Sequence, residues 1–358
     1  MLDNQGMHRI EQRAIPRTGL KLTSFALGTA PLAGMYKDVS YADCEACFLL
    51  AFEQGIRYFD TAAMYGRGKG EHYLGHFLRT HGLRDQVVIS TKAGRLMRPK
   101  HVAPPPAAEK NPFDGGWTNP LPFEEEFDYS YGGIMRSFED SLQRLGFDSV
   151  DVLYVHDISR LTHGSRYDHY WGQLRDGGFA ALAELRACGA VKAVGLGVNE
   201  WEPIADAMRE FDLDCSLLAG RYTLLDQSAL ESLFPECERR GVAILMGGIF
   251  NSGILAGGSS GPAQRYNYQP APGKVVDRVR AIERVCAEYS VPLRTAALQF
   301  PFAHPQVVSV VQGCQSPAEV AQNYASLQTE IPGAFWAALK SSGLLDSQAP
   351  VPRFDPCN

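Results

Sequence analysis

Eight short apolar runs begin near residues 25, 56, 87, 150, 191, 215, 242 and 307, and a helical pattern follows each of them. Strand and helix in strict alternation imply a parallel sheet whose crossovers are helices. Two architectures satisfy that pattern. An open doubly wound sheet that binds a dinucleotide carries Gly-x-Gly-x-x-Gly after its first strand. Here the first run continues Gly28-Thr29-Ala30-Pro31-Leu32, and the fingerprint is absent. Eight units in 358 residues suit a barrel of roughly 250 residues with elaborated loops. The expectation is therefore an α/β chain forming one (β/α)8 TIM barrel domain over residues 1–358, with its core at about 13–330. A β-hairpin over 15–22, turning at Thr18-Gly19, precedes the barrel, and a Pro-rich tail over 341–358 lies on its surface.

Helical spacing predicts helices over 41–54, 71–79, 133–145, 171–188, 203–211, 227–240, 274–289, 293–300 and 317–327. Two stretches break the rhythm. Residues 93–130 hold seven prolines and no periodicity, and the aromatic residues Phe113, Trp117, Phe123 and Phe127 suit an ordered lid. Residues 156–170 form a second irregular loop.

Composition excludes several classes. The net charge is −6 and no long basic run occurs, which argues against nucleic acid or an anionic membrane as partner. No apolar run reaches the roughly 18 residues of a membrane span, and residues 1–17 lack the apolar core of a signal peptide. The eight cysteines are scattered, as suits a reducing cytoplasm. Cys44 and Cys47 form the one close pair, inside a helical pattern and without a second pair, so a redox or zinc reading is set aside. His163, His169 and His304 lack ligand spacing, and no metal is expected. The protein is expected to be a monomer or small homo-oligomer acting on a small molecule.

The second, third and fourth runs end on residues that can do chemistry. Gly55-Ile56-Arg57-Tyr58-Phe59 leads to Asp60, Ser90-Thr91 to Lys92, and Leu153-Tyr154-Val155 to His156. Tyr65 follows Asp60 by five residues. Taken singly, Asp60 could cap a helix, Lys92 could be a surface charge and His156 a structural histidine. In a barrel, however, all loops after the strands open at one end, where catalysis resides, so these four converge. A phenol of ordinary pKa about 10 is a poor acid or base near neutrality. Lys92 is expected to lower that of Tyr65, with Asp60 holding Lys92 and His156 orienting the reacting oxygen. Tyr65 then moves a proton while a nicotinamide exchanges hydride with the same carbon.

These motifs, Gly-Ile-Arg-Tyr-Phe-Asp-Thr-Ala-(x)2-Tyr-Gly, Ser-Thr-Lys and Leu-Tyr-Val-His-Asp, resemble those of the aldo-keto reductases over about residues 13–330. The resemblance implies a catalytic tetrad of Asp60, Tyr65, Lys92 and His156 and a nicotinamide cofactor bound without a Rossmann fold. Val198-Asn199-Glu200-Trp201, Gly247-Gly248 in place of a stacking Tyr, and the stretches 218–227 and 250–255 are most similar to the sugar 1-dehydrogenase branch. That branch includes D-threo-aldose (L-fucose) and L-galactose dehydrogenases and the similar pyridoxal 4-dehydrogenases. The resemblance implies cofactor contacts from Gly28, Thr29, Asp60, Asn199, Gly247, Gly248, Phe250, Asn251, Ser252, Gly253, Gly313, Gln315, Ser316, Glu319, Gln322 and Asn323. Backbone amides of 247–253 and the start of the last barrel helix can hold the pyrophosphate. Segment 312–323 has no Lys or Arg, and Glu319 would repel a 2′-phosphate, so NAD is expected over NADP. Substrate contacts are expected from His156, Tyr36, Trp117, Trp171 and Asn251. The expected activity is oxidation of the anomeric hydroxyl of an aldose to the lactone. The alternatives are oxidation of pyridoxal, general aldehyde or ketone reduction, and a nicotinamide-binding regulatory subunit.

Overall fold

The computed structural model describes residues 10–101, 116–261 and 264–353. Its centre is a closed barrel of eight parallel strands: β1 (Phe25–Gly28), β2 (Tyr58–Asp60), β3 (Val88–Ala93), β4 (Val152–His156), β5 (Ala193–Val198), β6 (Cys215–Ala219), β7 (Ala243–Gly247) and β8 (Val307–Gly313). The strands pair in chain order and β8 closes on β1. Nearly every strand residue is buried, because helices cover one face of the sheet and the barrel interior covers the other.

The two faces make two cores. Between strands and helices lies a large aliphatic and aromatic layer. Inside the barrel lies a smaller one built from Ala26, Tyr58, Val152, Tyr154, Cys215, Leu217 and Leu245, among others. The N-terminal hairpin, Gln12–Ala14 paired with Lys21–Thr23, closes the lower end with Ile15 and Leu22, both buried in the interior core. Register places Asp60 beside Ser90, Lys92 beside Tyr154, and His156 beside Gly197. A Cβ on Gly197 would lie in ordinary contact distance, 3.4 Å, of the Lys92 stem and of Tyr154 Cβ, so β5 runs directly beside the lysine.

Helix starts follow local chemistry. Ser40, Ser130 and Ser316 accept hydrogen bonds from the third backbone N–H beyond them. The expected helix 227–240 is instead two pieces, Ala229–Ser232 and Phe234–Arg240, because Pro235 cannot continue a helix and begins the second. The irregular loop 156–170 is largely helical, with Arg160–His163 and Tyr167–Gln173 running through a π turn, Leu174–Gly178, into Phe179–Ala187. A helix at Gly333–Ser341, outside the expected set, buries Phe335, Trp336 and Leu339. The tail beyond it packs Leu345 and Ala349 against the body.

The stretch 93–130 also holds regular structure. Arg95–Pro99 and Phe123–Phe127 form an antiparallel hairpin, tied by ion pairs Arg95–Glu125 and Arg98–Glu126. Trp117 bridges to Met35. Cross-strand charge adds to the buried Leu96 and the core-packed Phe127 in holding this ribbon, and the Glu-Glu-Glu run hides the alternation that marks a strand. Phe113 lies outside the described residues.

Candidate active site

Asp60, Lys92 and His156 meet at the upper end of the barrel. Lys92 Nζ donates to Asp60 Oδ2 at 2.7 Å and to Thr61 O at 2.8 Å. Both members of the pair are about 2 % exposed, so water screens their attraction little. Asp60 Oδ1 accepts from Ser90 Oγ at 2.6 Å. Lys92 Nζ also lies 4.7 Å from the centre of the Tyr65 ring. Tyr65 hangs on a tight loop in which Gly66 has φ +59°, and a Cβ there would meet Ala33 O at 2.5 Å. The Tyr65 ring stands edge-on to His156, 6.0 Å between centroids, and 5.8 Å from Trp117.

The electrostatics differ from the sequence expectation. Burial, then the Asp60 and Asp157 carboxylates, raise the Tyr65 phenol well above its ordinary value, and Arg95 only partly opposes them. Lys92 spends its charge on Asp60. The phenol is therefore held protonated. His156 is pushed well below its ordinary value, first by burial and then by Arg95 and Lys92, so it is a neutral imidazole. Its Nε2 lies 3.6 Å from Asp157 Oδ2, and its Nδ1 has no partner among the described residues.

Asp157 was not expected at the site. Its backbone is left-handed at φ 48°, which is uncommon outside glycine but which Asp tolerates better than most residues. Its carboxylate binds the fully buried Arg95 and accepts from Asn199 Nδ2 at 3.0 Å. Arg95 in turn binds Glu125. Tyr129 donates to His156 O at 2.7 Å. The hairpin over 95–127 thus ties into the turn that carries His156.

A cavity of about 250 Å³ opens over these groups. Asp60, Tyr65, Lys92, His156 and Trp117 line it, as do the expected residues Gly28, Asn199, Gly247, Gly248, Phe250, Ser252, Gly253 and Gly313. The other expected residues lie elsewhere. Thr29 is buried and donates to Thr61 Oγ1. Asn251 accepts from Thr223 Oγ1 at 2.7 Å and donates to Gly220 O, so it holds two loops together. Trp171 stacks on Tyr167 and donates to Glu210 on the outer face. Tyr36 is 37 % exposed and sits under the Arg265 guanidinium.

The segment expected to hold adenosine phosphate is occupied with its own helix. Ser316 Oγ accepts from Glu319 N, and Glu319 Oε2 accepts from Gln315 N at 2.9 Å, an arrangement like a capping box but reaching one residue further back, in which the acid is a structural partner. Gln315 Nε2 donates to Met35 O, and Gln322 is exposed. Asn323 is buried and accepts from Arg294 Nη1 at 3.0 Å. Arg294 belongs to the helix Leu293–Gln299 and lies over the Phe250 ring at 5.2 Å. The fold therefore brings a cation to a segment that has none of its own.

Met35 and Tyr268 are among the further lining residues that escaped the sequence reading. Tyr268 sits in a two-residue turn between Arg265–Tyr266 and Gln269–Pro270. Asn267 and Tyr268 are both left-handed there, at φ 48° and 64°, as such a turn requires. The Asn between two tyrosines was the available signal. With Phe250 and Trp117, Tyr268 supplies aromatic surface where Gly247-Gly248 supply none.

Cys44 and Cys47 are buried within the helix Tyr41–Glu53, and burial pushes both thiols up to about 12. That is the reverse of what a nucleophilic or metal-binding thiolate needs.

Comparison with known proteins agrees with this geometry. The chain is 51% identical to a pyridoxal 4-dehydrogenase of Microbacterium luteolum, over 94% of this chain and 98% of that one. It is 37% identical to a D-threo-aldose 1-dehydrogenase of a Pseudomonas species, over 93% and 97%. Its fold superposes on a solved aldo-keto reductase of Bacillus halodurans, in its holo form, with a TM-score of 0.70 at 21% identity, covering 96% and 99% of the two chains. The model of the Aldo/keto reductase family matches residues 24–343. The chain belongs to the aldo/keto reductase family, oxidoreductases of CH–OH and carbonyl groups that work with a nicotinamide cofactor.

Proposed function

We propose that the protein oxidises the hydroxyl-bearing carbon of a cyclic hemiacetal to a lactone, with NAD as hydride acceptor. The observation that carries this reading is the buried Asp60–Lys92 pair set against the Tyr65 ring, with neutral His156 edge-on to that ring. Tyr65 rests as the phenol and gives its proton to the oxygen in carbonyl reduction; in oxidation it first releases that proton to solvent and then, as the phenolate, takes the hydroxyl proton as the C–O bond becomes C=O. His156 donates a hydrogen bond to the reacting oxygen without charging it, and so fixes which carbon reacts. Lys92 places a positive charge beside the phenol, and Asp60 keeps that charge in position. Burial protects each of these interactions from screening.

The residues present fit a dinucleotide. On the β7, β8 and β1 side glycines form much of the wall, beside Phe250, Val311 and Gln312. A Cβ on Gly313 would lie 2.4 Å from Pro31 Cγ, one on Gly247 3.1 Å from Leu217 Cδ2, and one on Gly28 3.2 Å from Val311 Cγ1. Backbone can approach a phosphate closely where side chains are missing. Gly247, Gly248, Phe250, Ser252, Gly253 and Gly313 would hold the cofactor, with Asn199, fixed by Asp157, at the reactive end. A nicotinamide bound there supplies the hydride acceptor. NAD is the first choice because Glu319 stands in the adenosine segment. Arg294 beside Asn323 is the reason to measure NADP in parallel.

The sequence reading placed an aldose first. Two observations move pyridoxal ahead of it. The relative named for pyridoxal is 51% identical against 37% for that named for D-threo-aldose. The aromatic lining of Tyr65, Trp117, Phe250 and Tyr268 also suits a flat pyridine ring through offset or edge contacts. An aldose remains the second reading, since both substrates present a hemiacetal hydroxyl. No described helix is long and apolar enough to cross a membrane. We read the protein as a cytoplasmic monomer or small homo-oligomer with a small-molecule substrate and no nucleic-acid partner. The test is NADH formation from pyridoxal, L-fucose, D-arabinose and L-galactose, with NAD and NADP side by side. Reduction of simple aldehydes with no oxidation of any hemiacetal would sink the proposal.

A further inference from the structure

Below the Asp60–Lys92 pair runs a line of buried polar groups that the chemistry above does not use. Ser90 Oγ lies 2.6 Å from Asp60 Oδ1, and Tyr58 Oη 2.8 Å from Ser90 Oγ. Tyr154 Oη is 3.2 Å from Tyr58 Oη, and Cys215 Sγ 3.8 Å from Tyr154 Oη. All four side chains are fully buried. They come from four strands. Tyr58 precedes Asp60 by two on β2, so it shares its inward face, and register sets Ser90 of β3 beside Asp60 and Tyr154 of β4 beside Lys92. Cys215 completes the line from β6. The layer around them is aliphatic, with Ala26, Val152, Leu217 and Leu245. Two phenols and a serine hydroxyl in such a layer are costly unless each is hydrogen-bonded.

The direction of every bond can be deduced. Asp60, paired with Lys92 as a carboxylate, only accepts, so the Ser90 hydrogen goes to Asp60. Ser90 then has no hydrogen left, and Tyr58 must donate to it. The Tyr58 proton is thereby spent, and Tyr154 must donate to Tyr58. The Cys215 S–H donates to Tyr154. Four hydrogen bonds run one way up the barrel and end on one carboxylate oxygen. Dipoles in such a chain reinforce one another in a medium of low dielectric.

We propose that Ser90, Tyr58 and Tyr154 are positioning residues, a one-way hydrogen-bond chain that fixes the Asp60 carboxylate against Lys92 and so sets the ammonium beside Tyr65. The inference rests on the reading of Asp60, Lys92 and Tyr65 given above. Burial raises both phenols well above their ordinary values, so the protons that define the chain stay in place.

The experiment is a double-mutant cycle on the full chain, with kcat, KM and the NADH dissociation constant (from quenching of tryptophan fluorescence) measured for each variant. A hydrogen bond to a charged group supports a loss of roughly ten- to a hundredfold in kcat for Ser90→Ala, with NADH affinity within about twofold of wild type. Tyr58→Phe alone lowers kcat less. In the Ser90→Ala background it adds nothing, because its acceptor is gone. Ser90→Thr, which keeps the hydroxyl, restores most of the loss. Effects that multiply in the double variant, or that Ser90→Thr leaves unrescued, overturn the chain in favour of ordinary packing. Should Ser90→Ala not fold, Tyr58→Phe carries the test, and unchanged kcat in that variant overturns the proposal. Tyr65→Phe is the control. Turnover lost in Tyr65→Phe but retained in Ser90→Ala removes this inference alone, whereas turnover retained in Tyr65→Phe removes the functional reading beneath it.

Discussion

The two sides of the cavity are built on opposite principles. On the β2–β4 side, side chains do the work: Asp60, Lys92 and His156 are buried, Tyr65 is half-buried, and each packs against or bonds to another group. On the β7, β8 and β1 side, absence does the work: Gly247, Gly248, Gly253, Gly313 and Gly28 leave backbone exposed to the cavity. Truncation should injure the first wall and addition the second. Chemistry that must place a proton needs fixed side chains, while a wall that must follow the shape of a cofactor needs close backbone.

The largest test of that contrast is Tyr65→Phe. Loss of the phenolic proton should lower turnover by about a thousandfold or more, with NADH affinity little changed, as read by steady-state kinetics and fluorescence titration. A binding module would keep its function in this variant. The mirror-image change is Gly313→Ala, whose Cβ would press on the Pro31 ring. We expect NADH affinity to fall by about tenfold while kcat at saturation is largely kept. A fall in kcat without loss of affinity would erase the distinction between the walls.

Acid should weaken the side-chain wall. Burial holds His156 well below its ordinary value, His163 to about 3 and His304 to about 4. In the unfolded chain these rings bind protons below about pH 6.5, while in the folded protein they stay neutral. Stability is therefore full above that pH and declines as pH falls toward 4. The expected loss is up to about 1.4 kcal/mol per pH unit for each histidine, measured by urea unfolding at pH 7 and pH 5. Equal stability at the two values would contradict the buried neutral state. The smallest effect is expected from Trp171→Ala. The indole packs outside the cavity, so kcat/KM should stay within about twofold.

The barrel was legible because its strands are continuous apolar runs, buried on both faces, at regular spacing. Asp60, Lys92 and His156 were legible as polar residues at the ends of such runs. The hairpin over 95–127 was not, since its arginine and glutamate ladders hide the alternation of a strand. Sequence shows the Glu319 charge in the adenosine segment but not that its carboxylate also accepts from Gln315 N at the helix start. Lys92 was expected to lower the Tyr65 pKa for a similar reason. Sequence shows which charges are nearby, but burial decides their net effect. Asp157 and Ser90 stood beside recognised residues, yet their roles depend on contacts across strands.

The hairpin seal at the lower end has a consequence for traffic. With Ile15 and Leu22 buried in the floor, the described residues fill the lower end of the barrel and the cavity lies at the upper one. Substrate, product and cofactor must all use the upper rim, where Trp117 and Tyr268 stand. A ligand seated deepest in that cavity leaves only after whatever covers it has gone.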